Sequence, residues 1–329
     1  MTESSSFRED ATSPTRGTLI DYLRIARFDH CTKHVLIVPG VALAYVLRGV
    51  HVESLALSVV AGLAAAVFVA SGNYVINEWL DRHYDRFHPT KSQRPAVRKS
   101  LRRGYVVAEW LILLAAGFAC ALAASSTMFA VAVLFAIQGV VYNIRPFRTK
   151  DLPYLDVISE SVNNPLRLMI GWAMVDPTTL PPGSILLAYW TGGAFLMAAK
   201  RLSEYREIVA AHGKDLLASY RRSFAGYSEP SLAAACLAYA LLSVFFLAVF
   251  LVKYRIEYLL VAPLVVALFS YYLALSMQPG SSAQRPERLI RERGLIFLVV
   301  LLAGAFLLLT VVNVPVLDGL VGQRYITIP

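Results

Sequence analysis

Apolar residues run along this chain in blocks long enough to cross a bilayer, separated by short polar segments. A spanning helix needs about 17 to 25 predominantly apolar residues, and such blocks fall at 33–50, 55–80, 105–123, 127–142, 153–174, 184–206, 230–252, 256–277 and 293–314. Because lipid offers no partner to backbone N–H and C=O groups, each block has to satisfy them internally, as a helix does. The pattern predicts an all-α membrane protein, a bundle of about nine transmembrane helices. Residues 1–18, rich in Ser, Thr, Asp and Glu with no apolar core behind a basic start, read as a disordered cytoplasmic tail and not as a secretory signal. Residues 19–329 read as a single helical domain.

Composition agrees, since 57% of the 329 residues are hydrophobic and 16% charged, a balance too apolar for a soluble domain. A net charge of +9 raises nucleic acid as a partner, so where the basic residues fall decides its meaning. Their distribution is lopsided. With the amino terminus inside and nine alternating spans, 26 of the 31 Lys and Arg fall in inner segments and 4 in outer ones, namely Arg48, Lys253, Arg255 and Arg324, with Arg167 inside a span. This is the positive-inside pattern, so the basic balance follows from topology, and no groove-reading motif is visible. Cys31, Cys120 and Cys236 lie far apart without metal or disulfide spacing and read as packing residues.

A charge facing lipid costs roughly 2.5 to 3.5 kcal/mol on insertion scales, so polar residues within the spans mark a working interior. Asn73, Asn77, Asp81 and Asp85 recur every four residues at the end of the second span and form one stripe on a helix. In the fifth, Asp156, Ser159, Glu160, Asn163, Asn164 and Arg167 share a face, and Pro165 there is expected to kink the helix and free carbonyls toward a cavity. A salt bridge between Glu160 and Arg167 that only locks helices together is the structural alternative. The sixth span ends in Lys200-Arg201-Leu-Ser-Glu204 and, like the second, runs into a long basic inner loop. The recurrence suggests two polar helix ends facing one cavity.

Magnesium takes oxygen ligands and is usually held by one or two carboxylates together with substrate phosphates. Asp81 and Asp85, one turn apart, supply the carboxylates, and Asn77 and Asn73 can bind the metal, its waters or a phosphate. The loop His88-Pro89-Thr90-Lys91-Ser92-Gln93-Arg94-Pro95 adds two cations behind them. Acids, metal and cations together describe a diphosphate site. Arg145, Arg148 and Lys150 could steer a phosphate or bind anionic head groups at the membrane surface.

These residues resemble the UbiA superfamily of intramembrane prenyltransferases, whose first motif, N-D-x-x-D-x-x-x-D, is similar to Asn77, Glu78, Asp81 and Asp85 here, with Glu at 78 in place of Asp. The family's Y-x-x-x-P-x-R-x-K segment is similar to Tyr142, Pro146, Arg148 and Lys150. Members that alkylate aromatic rings usually carry a second aspartate-rich motif after the sixth helix, where this chain has Lys200, Arg201 and Glu204. That segment, the His88–Pro95 loop and Arg221-Arg222 look like the decaprenylphosphoryl-5-phosphoribose synthase branch.

The resemblance implies a magnesium-dependent transfer of 5-phosphoribose from phosphoribosyl diphosphate to a polyprenyl phosphate at the cytoplasmic face of the cell membrane, serving cell-envelope glycans. Asp81, Asp85, Lys91 and Arg94 are the expected catalytic residues, with Asp81, Asp85 and Asn77 on the metal. Expected to bind substrate are Asn73, Asn77, Glu78, Tyr142, Arg148 and Lys150, together with Glu160, Asn164, Arg167, Lys200, Arg201 and Glu204. The alternative is a prenyltransferase moving a prenyl group from its diphosphate to an aromatic or lipid acceptor. A transporter would line its pathway with Glu160 and Arg167 and break its helices, and a membrane scaffold gives no reason to keep so many ionisable groups in the spans.

Overall fold

A computed structural model describes residues 15–284, 289 and 291–321 of the chain. Most of the expected tail and the expected outer Arg324 lie outside the described residues, as does the side chain of Cys31. Thr15–Arg16 (β1) and Lys99–Ser100 (β2) pair in parallel, which ties the start of the described chain to the loop after the second span.

Among the described residues, six helical stretches are long and apolar enough to cross a membrane. They are α3 (Leu55–Asp85), α5 (Arg103–Ala124), α6 (Ser126–Asn143), α11 (Glu229–Tyr254), the stretch Ile256–Ser276 that ends in α12 (Ala262–Ser276), and α13 (Arg293–Val311). The protein is an integral, multi-pass, all-α membrane protein. Side chains at the lipid surface of these helices are apolar, as with Leu241, Phe245, Phe297 and Leu307.

The other three expected spans are built differently. Residues 33–50 divide into a 3₁₀ stretch, Phe28–Ile37, and α2 (Val38–Arg48), because Pro39 starts an α-helix more readily than it continues one. Residues 153–174 divide at Val162 into α7 (Leu155–Ser161) and α8 (Asn163–Ala173), three residues before Pro165. The carbonyls freed at this break are taken by side chains: Gln138 Nε2 donates to Ser159 O, Trp190 Nε1 to Ile158 O and Asn163 Nδ2 to Glu160 O. The remaining span is α9 (Gly183–His212), one continuous helix whose last part is charged.

The broken segments are pressed into the bundle by close backbone contact. A Cβ added to Gly40 would lie 2.1 Å from Leu168 O, and one on Gly171 would lie 2.1 Å from Ile37 O, so only glycine lets α2 and α8 meet this closely. A second, smaller core of Ala198, Leu202, Leu217, Phe224, Tyr227 and Leu232 joins α9 and α11 to α10 (Lys214–Tyr220). The 3₁₀ turn Arg222–Gly226 follows α10 at the charged end of α9.

Candidate active site

The polar helix ends enclose one cavity of about 480 Å³, a size usual for small-molecule sites. Its wall carries nine Lys and Arg against five Asp and Glu, so it is built for an anion. The four-residue repeat on α3 works as expected, since Asn73, Asn77, Asp81 and Asp85 all line the cavity. Gly139 of α6 makes room for the first of them: a Cβ there would lie 2.0 Å from Asn73 Oδ1. Asn73 Nδ2 donates to Phe135 O at 3.0 Å, while its buried Oδ1 has no partner among the described residues. Asn77 donates to Asn143 Oδ1, which also receives Lys150 Nζ at 2.8 Å.

The two aspartates are each held by cations through one oxygen. Lys150 Nζ and Arg148 Nη2 lie 2.6 and 2.9 Å from Asp81 Oδ1, and Arg94 Nη1 lies 2.6 Å from Asp85 Oδ2. Among the described residues, Asp81 Oδ2 and Asp85 Oδ1 have no such partner. One turn apart on one helix face, these two carboxylate oxygens beside the Asn77 amide make a hard oxygen donor set that fits magnesium. Among the described residues no three His, Cys, Asp or Glu gather closely enough to hold a metal by themselves, so phosphate oxygens or water would complete the shell.

Opposite lies the end of α9. Glu204 accepts from Arg201 Nη1 at 2.9 Å and Tyr220 OH at 3.1 Å, with His88 Nε2 at 3.3 Å and Lys91 Nζ at 3.9 Å. Behind it the fully buried Asp156 receives Arg201 Nε at 3.1 Å, Arg221 Nη2 at 3.3 Å, Ser223 Oγ at 3.0 Å and the Tyr227 hydroxyl. Arg221 also donates to Tyr142 OH at 2.8 Å. In the loops, burial pulls Lys91 and Lys150 down to about 8, against the opposing pull of Glu204 and Asp81 respectively. A phosphate reaching these ammonium groups would restore their charge.

Asn73, Asn77, Asp81, Asp85, Lys91, Arg94, Tyr142, Lys150, Glu160, Arg167, Lys200, Arg201 and Glu204 thus share one cavity, though they come from distant parts of the chain. Three expected substrate-binding residues do not line it. Glu78, adjacent to Asn77, is turned about 100° away on the helix and is 2% exposed behind the wall. Arg148 reaches Asp81 from behind and lines a neighbouring pocket with Tyr84 and Arg145. Asn164 packs against Gly193 of α9. Glu160 and Arg167 form no ion pair; Arg167 instead donates to Asn163 O at 3.2 Å and lies over the Phe135 ring at 5.2 Å.

The structure adds residues that the periodicity did not single out. Arg27 and Lys33 reach the cavity from the 3₁₀ stretch and the turn before it, where they read only as inner positive charge. Gln138, Asn143 and Arg221 join the wall as well. Polar positions in α6 and the Arg221-Arg222 pair were the available signals.

Residues 36–290 match the model of the UbiA prenyltransferase family. The nodulation protein NoeC of Azorhizobium caulinodans is 29% identical over 186 residues, covering 55% of this chain and 57% of the relative. Protoheme IX farnesyltransferase of Bacillus mycoides is 26% identical over 149 residues, covering 44% and 48%. The chain spans about half the length of the curated relatives it matches. In fold it is similar to a UbiA homolog from Archaeoglobus fulgidus bound to GPP and Mg2+, with a TM-score of 0.66 and 23% identity over 88% of this chain and 100% of that one. The same homolog bound to DMAPP and Mg2+ gives a TM-score of 0.65 at 22% identity, over 89% and 100%. The matched length, more than half of the chain, shows that this protein belongs to the UbiA prenyltransferase family.

Proposed function

We propose that the protein is a magnesium-dependent transferase that moves 5-phosphoribose from phosphoribosyl diphosphate to a polyprenyl phosphate, at a site open to the cytoplasm in the inner membrane. The observation that carries this reading is the α9 wall. Where a second acidic pair would bracket a prenyl diphosphate, Lys200 and Arg201 stand instead, and Glu204 is already engaged by Arg201, Tyr220 and His88. One carboxylate pair with a surplus of cations suits substrates that bring several phosphates: a sugar 5-phosphate, a diphosphate and an acceptor phosphate.

In the reaction the bond between the anomeric carbon and the diphosphate oxygen breaks, and an acceptor phosphate oxygen bonds to that carbon. The acceptor is already an anion near neutral pH, so no general base is required. Asp81 Oδ2, Asp85 Oδ1 and Asn77 would hold magnesium, which supplies positive charge to the leaving diphosphate. Lys91, Arg94 and Lys150 oppose the charge that grows on the diphosphate oxygens, in a partly water-excluded site where fixed donors act strongly. Arg94 and Lys150 also hold the two aspartates in place. Asn73 and Tyr142 line the cavity beside the place where the sugar would sit.

A prenyl transfer to an aromatic or lipid acceptor is the second reading. It draws on the similarity to a protoheme IX farnesyltransferase and to a homolog holding GPP with Mg2+. Purified protein, magnesium, polyprenyl phosphate and labelled phosphoribosyl diphosphate test the choice. Label entering the lipid phase supports phosphoribosyl transfer. No transfer, with labelled prenyl diphosphate consumed on adding an aromatic acceptor, moves the assignment to the second reading.

A further inference from the structure

The cavity cations fall into two groups. Arg94, Lys150, Lys91, Arg201 and Arg221 each have a protein carboxylate within ion-pair distance. Arg27, Lys33, Arg167 and Lys200 have none among the described residues, although the charges of Glu78, Glu160 and Glu204 act from farther away on Arg27, Arg167 and Lys200 respectively. Lys33, Arg167 and Lys200 arise from three separate elements, the 3₁₀ stretch, α8 and α9. Arg167 is 5% exposed and lines the cavity, and among the described residues its Nε has no partner.

These charges are near one another. Lys33 is close enough to Lys200 and His34 for their charges to interact, and Arg167 also acts on His34. Both also face aromatic rings: Lys33 Nζ lies 5.5 Å from the centre of the Tyr74 ring, and the Arg167 guanidinium, which donates through Nη1 to Asn163 O at 3.2 Å, lies 5.2 Å from that of Phe135. Aromatic faces ease a buried cation without neutralising it. Like charges gathered in a low-dielectric cavity repel, and the arrangement costs free energy until an anion enters. On the proposed reading the metal and diphosphate lie at the α3 carboxylates, which leaves these three cations for another anionic group.

We infer that Lys33, Arg167 and Lys200 form a second anion subsite, which takes the acidic head group of an apolar acceptor without magnesium. The inference rests on the two-substrate transferase reading and gives its acceptor side a definite place. Arg148 and Arg201, also expected to bind substrate, are less available, since Arg148 lies behind Asp81 and Arg201 is held between Asp156 and Glu204. A polyprenyl phosphate presents a phosphate on a long apolar chain; an aromatic carboxylate presents the same charge on a ring.

The test measures binding to the full chain in nanodiscs with chelator present, using a polyprenyl phosphate, the matching neutral polyprenol, and benzoate. Wild-type protein is expected to prefer the phosphate over the alcohol by about tenfold or more, as charge-assisted hydrogen bonds imply. That preference should collapse in Lys33→Gln/Lys200→Gln, while magnesium-dependent binding of inorganic diphosphate persists. Arg167→Gln is paired with Arg167→Lys, which keeps a charge at a buried position and should retain part of the preference. No preference in wild type for either anion, or a preference untouched by these changes, overturns the subsite. Phosphate preference lost in the variants, with no label transfer from phosphoribosyl diphosphate, supports the subsite and removes the phosphoribosyl reading. Benzoate binding lost in the same variants, without phosphate preference, supports the subsite with a carboxylate as its occupant.

Discussion

The two walls of the cavity are both charged helix ends, yet they differ in what their carboxylates have left to give. On α3, Asp81 and Asp85 each meet protein cations through one oxygen and keep the other uncommitted. On α9, both oxygens of Glu204 are engaged, and Asp156 behind it is surrounded by four donor side chains. A carboxylate offers about four lone-pair positions, so one that already accepts from three side chains has little capacity for a metal. The α3 wall can take a cation from solution. The α9 wall instead presents cations to an incoming anion.

Breaking the α3 side gives the largest expected effect. Asp81→Asn or Asp85→Asn should lower turnover by about a thousandfold or more, as loss of electrostatic stabilisation of a leaving group implies, with membrane insertion intact. Near-normal turnover by a correctly inserted variant would remove the metal site. On the α9 side, Asp156→Asn leaves Arg201 and Arg221 without their shared counter-charge, and breaking a buried ion pair costs about 3 to 5 kcal/mol. Thermal unfolding in detergent should show it as a clear loss of stability, whereas an unchanged midpoint would mean that this network does not hold the wall.

Two smaller tests sharpen the contrast. Because burial lowers Lys91 to about 8, its ammonium is present below that pH and is lost as pH rises through it. Diphosphate binding to the ligand-free protein should therefore weaken across this range, and Lys91→Arg, which stays charged, should flatten the alkaline limb; an identical profile would show that Lys91 is not the titrating group. Gly139→Ala pushes on Asn73. Loss of its bond to Phe135 O, worth about 1 kcal/mol, should raise donor KM about fivefold, and an unchanged KM would show that Asn73 does not position the donor.

Some of this site is legible in one dimension. The Asn73–Asp85 stripe needs only the helical repeat, because residues four apart share a face whatever packs against it. The interruption near Pro165 is likewise local, since a missing N–H and a ring clash act within one turn. Both polar helix ends, expected to meet, do line one cavity. Glu78 shows where motif reading fails: it follows Asn77 directly, and the same helical repeat that directs Asn77 inward turns Glu78 behind the wall. Arg148 and Lys150 are two residues apart and contact the same Asp81 oxygen, yet only Lys150 lines the cavity.

The sequence by itself determined that the protein spans a membrane with a carboxylate stripe at a helix end, because hydropathy and helical periodicity are local properties of the chain. Tertiary structure alone decided which cations are spent on carboxylates and which stay available. Whether Lys33, Arg167 and Lys200 find a carboxylate within ion-pair distance depends on what three separate elements place beside them, and the spacing of residues along the chain carries no such information.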